Sequence, residues 1–548
     1  MAYRRTVPTI LTAHLGYDTT ATKKAIVLTD SPVDVHSAVL VGPTWTDLVV
    51  GPEQHVDRWS VGGFRRIDFS HVHTPGTYRL DVHTADGAYS STPFPIGDGV
   101  TATAISDCLN YFKAVRSTGE IDRKDRTAGF YGGSDRTVDA RGGWLDASGD
   151  FSKFLSHLNY TRMMSPQQIP LCTWAFFAAD SPSPVLRTRL RDEGLHGADF
   201  LVRFQSPEGY FYTAIFDALT KDLNERVITA PLQDSVRTTR WQAAFRHGGG
   251  LAIAALARAS TANDHGDFPN TTYLAAAQRG FTHLESHNTS YLYDGTETVL
   301  DDYCALLAAT ELVAAGLSSF QSAAERRCKS LVDRYRSSGL GFGYLRGDAD
   351  GRPFFHAAEP GLPIVALLRY AEVCSDPSAV DLAVRLARDT VCITDEVANP
   401  FGYVRQYVQP LGAAPRTAFF FPHANETGYW WQGENAGICS MAYAARLVAA
   451  LPECDESLRD RLRRLADDQL QWVLGLNPFD TCMLQGRGRN QADYSSDYPN
   501  VPGGILNGIT GGVKDERDIA FLPEGEDRWR WAEQWIPHSA WFVLAASA

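Results

Sequence analysis

No stretch of this chain approaches the ~20 consecutive apolar residues that a membrane-spanning helix needs. The longest apolar runs, such as Leu251 to Leu256 and Val448 to Leu451, stop far short. Basic side chains are also scarce: 51 Lys and Arg stand against 64 Asp and Glu, a formal net charge of −13 over 548 residues. With no Lys/Arg block to displace counterions, nucleic acid and anionic membranes are excluded as expected partners. The opening Met1-Ala2-Tyr3-Arg4-Arg5-Thr6-Val7-Pro8 lacks the sustained apolar core of a secretory signal. The 9 cysteines, an odd number, include no C-x-x-C pair and are scattered through apolar patterns, so they read as reduced core thiols of a cytoplasmic protein.

What is present is the composition of a packed globular protein: 44% hydrophobic, 11% aromatic and 21% charged. The length exceeds one ordinary core, which implies several domains or one large helical barrel. Near the start, Tyr78, Leu80 and Val82 alternate with Arg79, Asp81 and His83, and Asp86-Gly87 supplies a hairpin turn. With Ile26 to Leu28, Ala38 to Val41 and Phe64 to Phe69, this predicts a small antiparallel sandwich over residues 1–98. Pro93, Pro95 and Gly97 are expected to stop its sheet.

Beyond residue 98 the apolar period changes from two to nearly four. Helices are predicted over 101–117, 166–180, 187–205, 251–258, 271–285, 303–315, 321–338, 360–374, 378–392, 434–451, 457–474 and 533–547. Helical hairpins joined by long loops rich in Gly, Asp, Trp and Tyr suggest an all-α barrel over 99–548, with a site at one end.

Two segments carry the chemistry. In Gly142-Gly143-Trp144-Leu145-Asp146-Ala147-Ser148-Gly149-Asp150, small residues let the backbone bend until both carboxylates face one cavity. One ionised acid can then take a proton from water while the other orients that water. The same residues also fit an Asx turn with Asp150 capping a helix. In Trp529-Arg530-Trp531-Ala532-Glu533-Gln534-Trp535-Ile536-Pro537-His538, Glu533 stands among aromatics that disfavour its charged form, which suits a general acid; a glutamate at a helix start is the plainer alternative.

Together these segments resemble glycoside hydrolase family 9, whose members often place an immunoglobulin-like domain before an (α/α)6 barrel. The first segment is similar to the family's glycine-rich aspartate signature, which implies Asp150 as catalytic base and Asp146 as its partner in holding water. The glutamate following Val501-Pro502-Gly503-Gly504-Ile505-Leu506-Asn507-Gly508 resembles the family's general acid, which implies that role for Glu533. Leu11 to Tyr17 and Val473 to Pro478 extend the likeness to nearly the whole chain. Two departures stand out: Ser148 sets the aspartates one residue further apart than usual, and Gln485-Gly486-Arg487-Gly488-Arg489-Asn490 replaces a histidine-rich segment. With Lys153 to Leu158, Ser165 to Gln168 and Glu426 to Asn435, they resemble the exo-β-glucosaminidase branch, which implies an inverting enzyme removing terminal glucosamine from chitosan oligosaccharides. A β-glucosidase or endoglucanase, or a carbohydrate-binding protein without turnover, remains an alternative.

Trp144, Tyr429, Trp430, Trp431 and Asn435 are expected to contact the sugar, since rings stack on its apolar faces and amides bond its hydroxyls, with barrel packing as the alternative for Trp430 and Trp431. Glu434 or Asp139 would meet a glucosamine ammonium, unless Glu434 is a helix N-terminal acid, and His423 and His538 either line the pocket or serve as hydrogen-bonded structural histidines. His356, His423 and His538 lie far from other ligands at metal spacing, so no metal is expected. Asp301-Asp302 reads as a helix N-terminus in preference to a calcium site, and His247-Gly248-Gly249-Gly250 as a close-packed helix start in preference to a phosphate cradle. No cofactor is expected. The partner is a β-linked oligosaccharide, and the oligomeric state, a homodimer included, is left open.

Overall fold

The computed structural model describes residues 8–30, 34–492 and 499–548. Residues 1–7, read above for a leader, lie outside them. The first domain has two sheets. One orders Thr9–Leu11, Lys24–Thr29, Gly63–Asp68 and Val50–Gln54. The other orders Tyr17–Asp18, Phe94–Gly97, Gly76–Thr84, Val35–Val41 and Trp45–Leu48, with Gly87–Ser90 beside Gly76–Thr84. Leu40 pairs with Leu80 and Ala38 with Val82, so the alternating residues reach one interior with Val27 and Phe69. The prolines do not stop the sheet as expected. Phe94–Gly97 is a strand, antiparallel to Gly76–Thr84 and parallel to Tyr17–Asp18, and it carries Pro95 within it.

Lys24–Thr29 is buried along its whole length. Ala25 and Val27 face the sandwich interior, whereas Ile26 and Leu28 join the core of the helical domain. Trp59 sits at this junction with its ring 5.0 Å from Phe419 and 6.3 Å from Trp472, and Lys24 Nζ lies 2.7 Å from Asp468.

The helical domain is built from α1 (Ala102–Ala114), α2 (Ile169–Ala178), α3 (Pro184–Arg203), α4 (Gly249–Ala259), α5 (Asn270–Tyr291), α6 (Val299–Ala314), α7 (Gln321–Val332), α8 (Leu362–Cys374), α9 (Pro377–Asp395), α10 (Asn435–Ala449), α11 (Glu456–Val473) and α12 (Ile536–Ser547). Helices α2, α4, α6, α8, α10 and α12 touch in succession, and α12 returns to α2. Each packs most extensively on one outer neighbour: α3, α5, α7, α9, α11 and, for α12, α1. Sequence explains the two layers. Inner helices such as α4, GGLAIAALARA, are apolar nearly all round and almost wholly buried. Outer helices such as α11, ESLRDRLRRLADDQLQWV, bury one stripe and hydrate the other.

Two expectations shift. Helix α7 ends at Val332, and Tyr335–Ser337 forms a strand with Gly343–Leu345 where the helix was expected to continue. The loops before α2 and between α3 and α4 hold a sheet of short strands, including Lys153–Phe154, Ala214–Phe216 and Val227–Pro231, too brief to show a period in sequence. No described helix is long and apolar enough to cross a membrane.

Candidate active site

The segment between Gly142 and Lys153 is a tight loop. Gly149 adopts φ +86°, which an L side chain rarely takes, and lets Asp150 N–H return to Ala147 O at 3.1 Å. Asp150 Oδ1 accepts from Ser152 N–H at 2.7 Å. This is the Asx turn allowed by the sequence, but the strand Lys153–Phe154 follows it and no helix starts there. Beneath the loop, buried Asp125 pairs with Lys153 at 2.6 Å and Arg226 at 2.6 Å, while Lys153 Nζ donates to Ala140 O and Gly142 O.

Glu533 stands in extended backbone, φ −72° and ψ 141°, between the short helix Trp529–Ala532 and α12. It is thus not the helix-start glutamate of the plainer reading. Asn507 holds it from behind: Asn507 N–H donates to Glu533 O at 2.7 Å, and Nδ2 lies 3.5 Å from Oε2. Asn507 Nδ2 also donates to Trp529 O at 2.6 Å, so its Oδ1 is the acceptor for His538 Nε2 at 2.8 Å. His538 is therefore a support for this segment and does not line the pocket.

The two segments are bonded to each other. Ile536 N–H donates to Asp146 O at 3.1 Å, and Trp535 Nε1–H bridges Asp146 Oδ1 and Oδ2 at 3.1 and 3.2 Å. Asp146, Asp150 and Glu533 consequently line one cavity of about 590 Å³, at the N-terminal ends of α2, α10 and α12.

Three acids in one cavity cannot all ionise readily. Burial raises the Asp150 carboxyl above the usual range, partly offset by the Ser152 amide. Burial and then the Asp150 charge push Asp146 well up, against hydrogen bonds from Gln168 and Trp535. Burial, then Asp150 and Asp146, push Glu533 well up with only Asn507 opposing. Asp150 is the acid of the three whose carboxyl accepts a backbone amide. Burial and the two neighbouring aspartates bias Glu533 toward its protonated form.

Among the other expected sugar contacts, Tyr429 and Trp430 line the cavity. The rest do not. Trp144 is buried in the core, its ring against Phe112 and Phe176 and its Nε1–H on Glu193 at 3.1 Å. Asp139 is an exposed loop acid paired with Arg141 at 2.7 Å. Trp431 stacks on His423, 3.7 Å from its ring, and carries Arg530 4.0 Å from it, so both aromatic groups are engaged outside the lining. Glu434 is buried where α10 begins and accepts from Phe421 N–H at 2.7 Å, with burial raising its carboxyl to about 8. Asn435 Nδ2 donates to Leu506 O at 2.8 Å, bracing the Asn507 loop.

The lining residues that sequence reasoning passed over include His157, Phe216, Lys221, Gln432, Arg530 and Trp535. Several belong to segments already singled out, yet only folding shows which side chains face inward. Asp301 accepts from Thr298 N–H and pairs with Arg246, while Asp302 pairs with Arg327 and Arg334, an N-terminal cluster of α6. A Cβ on Gly250 would meet Cys304 at 2.7 Å, so that glycine serves close packing. Among the described residues no group of His, Cys, Asp and Glu is placed to hold a metal ion.

Residues 102–497 match Glycosyl hydrolase family 9, and residues 5–86 match the Cellulase N-terminal ig-like domain. Asp146 and Asp150 fall inside the first match and Glu533 beyond its end. A Bacteroides ovatus GH9 structure aligns with TM-score 0.65 at 18% identity over 98% of each chain. A Zn-binding triple mutant of the GH family 9 endoglucanase J30 aligns with TM-score 0.63 at 19% identity, over 97% of this chain and 99% of that one. No curated protein matches the chain.

Proposed function

Because the chain belongs to glycosyl hydrolase family 9 and is a glycoside hydrolase, we propose that it hydrolyses β-1,4-linked oligosaccharides with inversion at the anomeric carbon. The observation that carries this reading is the meeting of Asp146, Asp150 and Glu533 in one cavity, with Glu533 biased to its protonated form. Asp150 removes a proton from water as it attacks the anomeric carbon, Asp146 shares the positioning of that water, and Glu533 protonates the departing oxygen. The closed circuit of α2, α4, α6, α8, α10 and α12 inside its outer helices supports an (α/α)6 barrel as the frame.

For the sugar itself, the cavity favours a neutral residue. The carboxylates offered for a glucosamine ammonium, Glu434 and Asp139, lie elsewhere. Among the described lining residues the remaining charged groups are Lys221 and Arg530, which repel an ammonium. A glucose-type terminal sugar is therefore the first reading. Exo-β-glucosaminidase activity remains the second, supported by the three acids, which are the anions an ammonium would meet here. Incubation with cellobiose and separately with the glucosamine β-1,4 disaccharide, followed by proton NMR, tests both. Release of α-anomer from cellobiose supports the first; release from the amino sugar alone replaces it with the second; a β-anomer from either overturns inversion. The early fall in viscosity of a soluble β-glucan separates endo from exo attack. The free thiols, most of them buried, support a reducing compartment such as the cytoplasm.

A further inference from the structure

His157 lines the catalytic cavity, and no described protein group meets its Nε2. Its ring is surrounded by aromatic rings, with centroids 5.7 Å from Phe154, 5.8 Å from Trp430 and 5.9 Å from Trp535. Its other nitrogen, Nδ1, lies 3.0 Å from Gln168 Oε1. Gln168 in turn donates from Nε2 to Asp146 Oδ1, the oxygen that also faces Trp535 Nε1–H.

This chain of bonds has a direction. Indole Nε1 is only a donor, so both Asp146 oxygens accept from Trp535, and Oδ1 accepts from Gln168 Nε2 as well. The Gln168 amide must then turn its NH₂ to Asp146 and its oxygen to His157. An oxygen facing Nδ1 requires a proton on Nδ1. A neutral imidazole has one N–H, so Nε2 carries a bare lone pair. Burial among the rings keeps the imidazole neutral at ordinary pH, pulling it down to about 4.

We propose that His157 is a substrate-binding residue whose unprotonated Nε2 accepts a hydrogen bond from a hydroxyl of the sugar beside the catalytic carboxyls. The inference rests on the glycosidase reading of the same cavity. It assigns that subsite to a donor group: a hydroxyl fits, whereas a methyl ether or a fluorine at that position does not.

Histidine-selective ¹⁵N NMR on the full chain at neutral pH, with His157→Phe to assign the signal, tests the tautomer. An Nδ1–H, Nε2-bare ring is expected; an Nε2–H ring or an imidazolium overturns the proposal. Adding cellobiose should then move the Nε2 resonance in the direction of an accepted hydrogen bond. In kinetics His157→Phe should raise KM roughly tenfold, the equivalent of one good hydrogen bond, and His157→Gln, which retains an acceptor oxygen, should restore part of it. A deoxyfluoro analogue as good as the hydroxyl substrate at every position overturns the assignment. Turnover with an unmoved Nε2 signal overturns this inference and leaves the hydrolase reading; a moved signal without turnover does the reverse.

Discussion

Ser148 and Gln534 exchange two hydrogen bonds across 386 residues of sequence: Ser148 N–H to Gln534 O and Gln534 N–H to Ser148 Oγ, both 2.9 Å. The residues on either side are Asp146 and Asp150 in one segment and Glu533 in the other. The pair therefore ties the segment of Glu533 to the loop of the two aspartates, and the proposed single-displacement hydrolysis is sensitive to their separation because water must fit between. Ser148→Ala keeps the first bond and removes the second. The expected cost is about 1 kcal/mol in the transition state, roughly a fivefold fall in kcat, with little change in melting temperature. A KM change without a kcat change would place the hydroxyl in ground-state binding instead.

The assigned proton transfers predict the effect of the matching amides. Asp150→Asn and Glu533→Gln should each lower kcat by roughly 10²–10⁴-fold, the usual worth of a positioned acid or base. Their circular dichroism should match the parent, because each amide retains the shape and most hydrogen bonds of the acid. Initial rates on cellobiose check both.

The proposed roles require Asp150 ionised and Glu533 protonated, so the pH profile of hydrolysis should be bell-shaped. The acidic limb should lie above the ordinary Asp value of 3.8 and the alkaline limb well above the ordinary Glu value of 4.5, since burial raises both. The same shift has a stability sign. A carboxyl raised in the folded state stabilises the fold at pH below its unfolded value, and that stabilisation is lost as pH rises to and through the folded value. Glu533→Gln does not titrate. Its melting temperature relative to the parent should thus climb from about pH 4.5 upward and level off above the folded value; a constant difference would show that Glu533 is not perturbed.

Much of this was legible in sequence for physical reasons. The inner helices are apolar all round and the outer ones striped, so both show a near-four period, and the candidate acids sit among glycines or aromatics that mark unusual backbone and surroundings. Facing was harder. Trp144 stands only two residues before Asp146, yet its large ring fills the core against Phe112 and Phe176 while the Asp146 carboxyl turns to the cavity. Glu434 and Asn435 begin a helix whose start is buried, so their polar atoms serve the neighbouring backbone and not a ligand. His157 and Trp535 become site residues only because the starts of α2, α10 and α12 converge, a relation between segments hundreds of residues apart.

The buried cluster of Asp125, Lys153 and Arg226 supports the aspartate loop from below, and its chemistry is asymmetric. One carboxylate, with no exposed surface, serves two fully buried cations at 2.6 Å each. The pair of positive charges holds Asp125 below the ordinary carboxylate range, while burial brings the Lys153 ammonium down to about 8. Removing the shared anion leaves both cations desolvated and facing each other, so Asp125→Asn should destabilise the protein by about 3–5 kcal/mol. Lys153→Met removes one cation and leaves the Asp125–Arg226 pair intact, and should cost less. It also releases Ala140 O and Gly142 O from Nζ, which loosens the loop carrying Asp146 and Asp150. Urea unfolding should therefore rank Asp125→Asn as the less stable variant, while kcat falls in Lys153→Met even at concentrations of urea where it stays folded. Equal unfolding midpoints for the two variants would mean that water enters the cluster and that Asp125 is not the sole counter-charge of the pair.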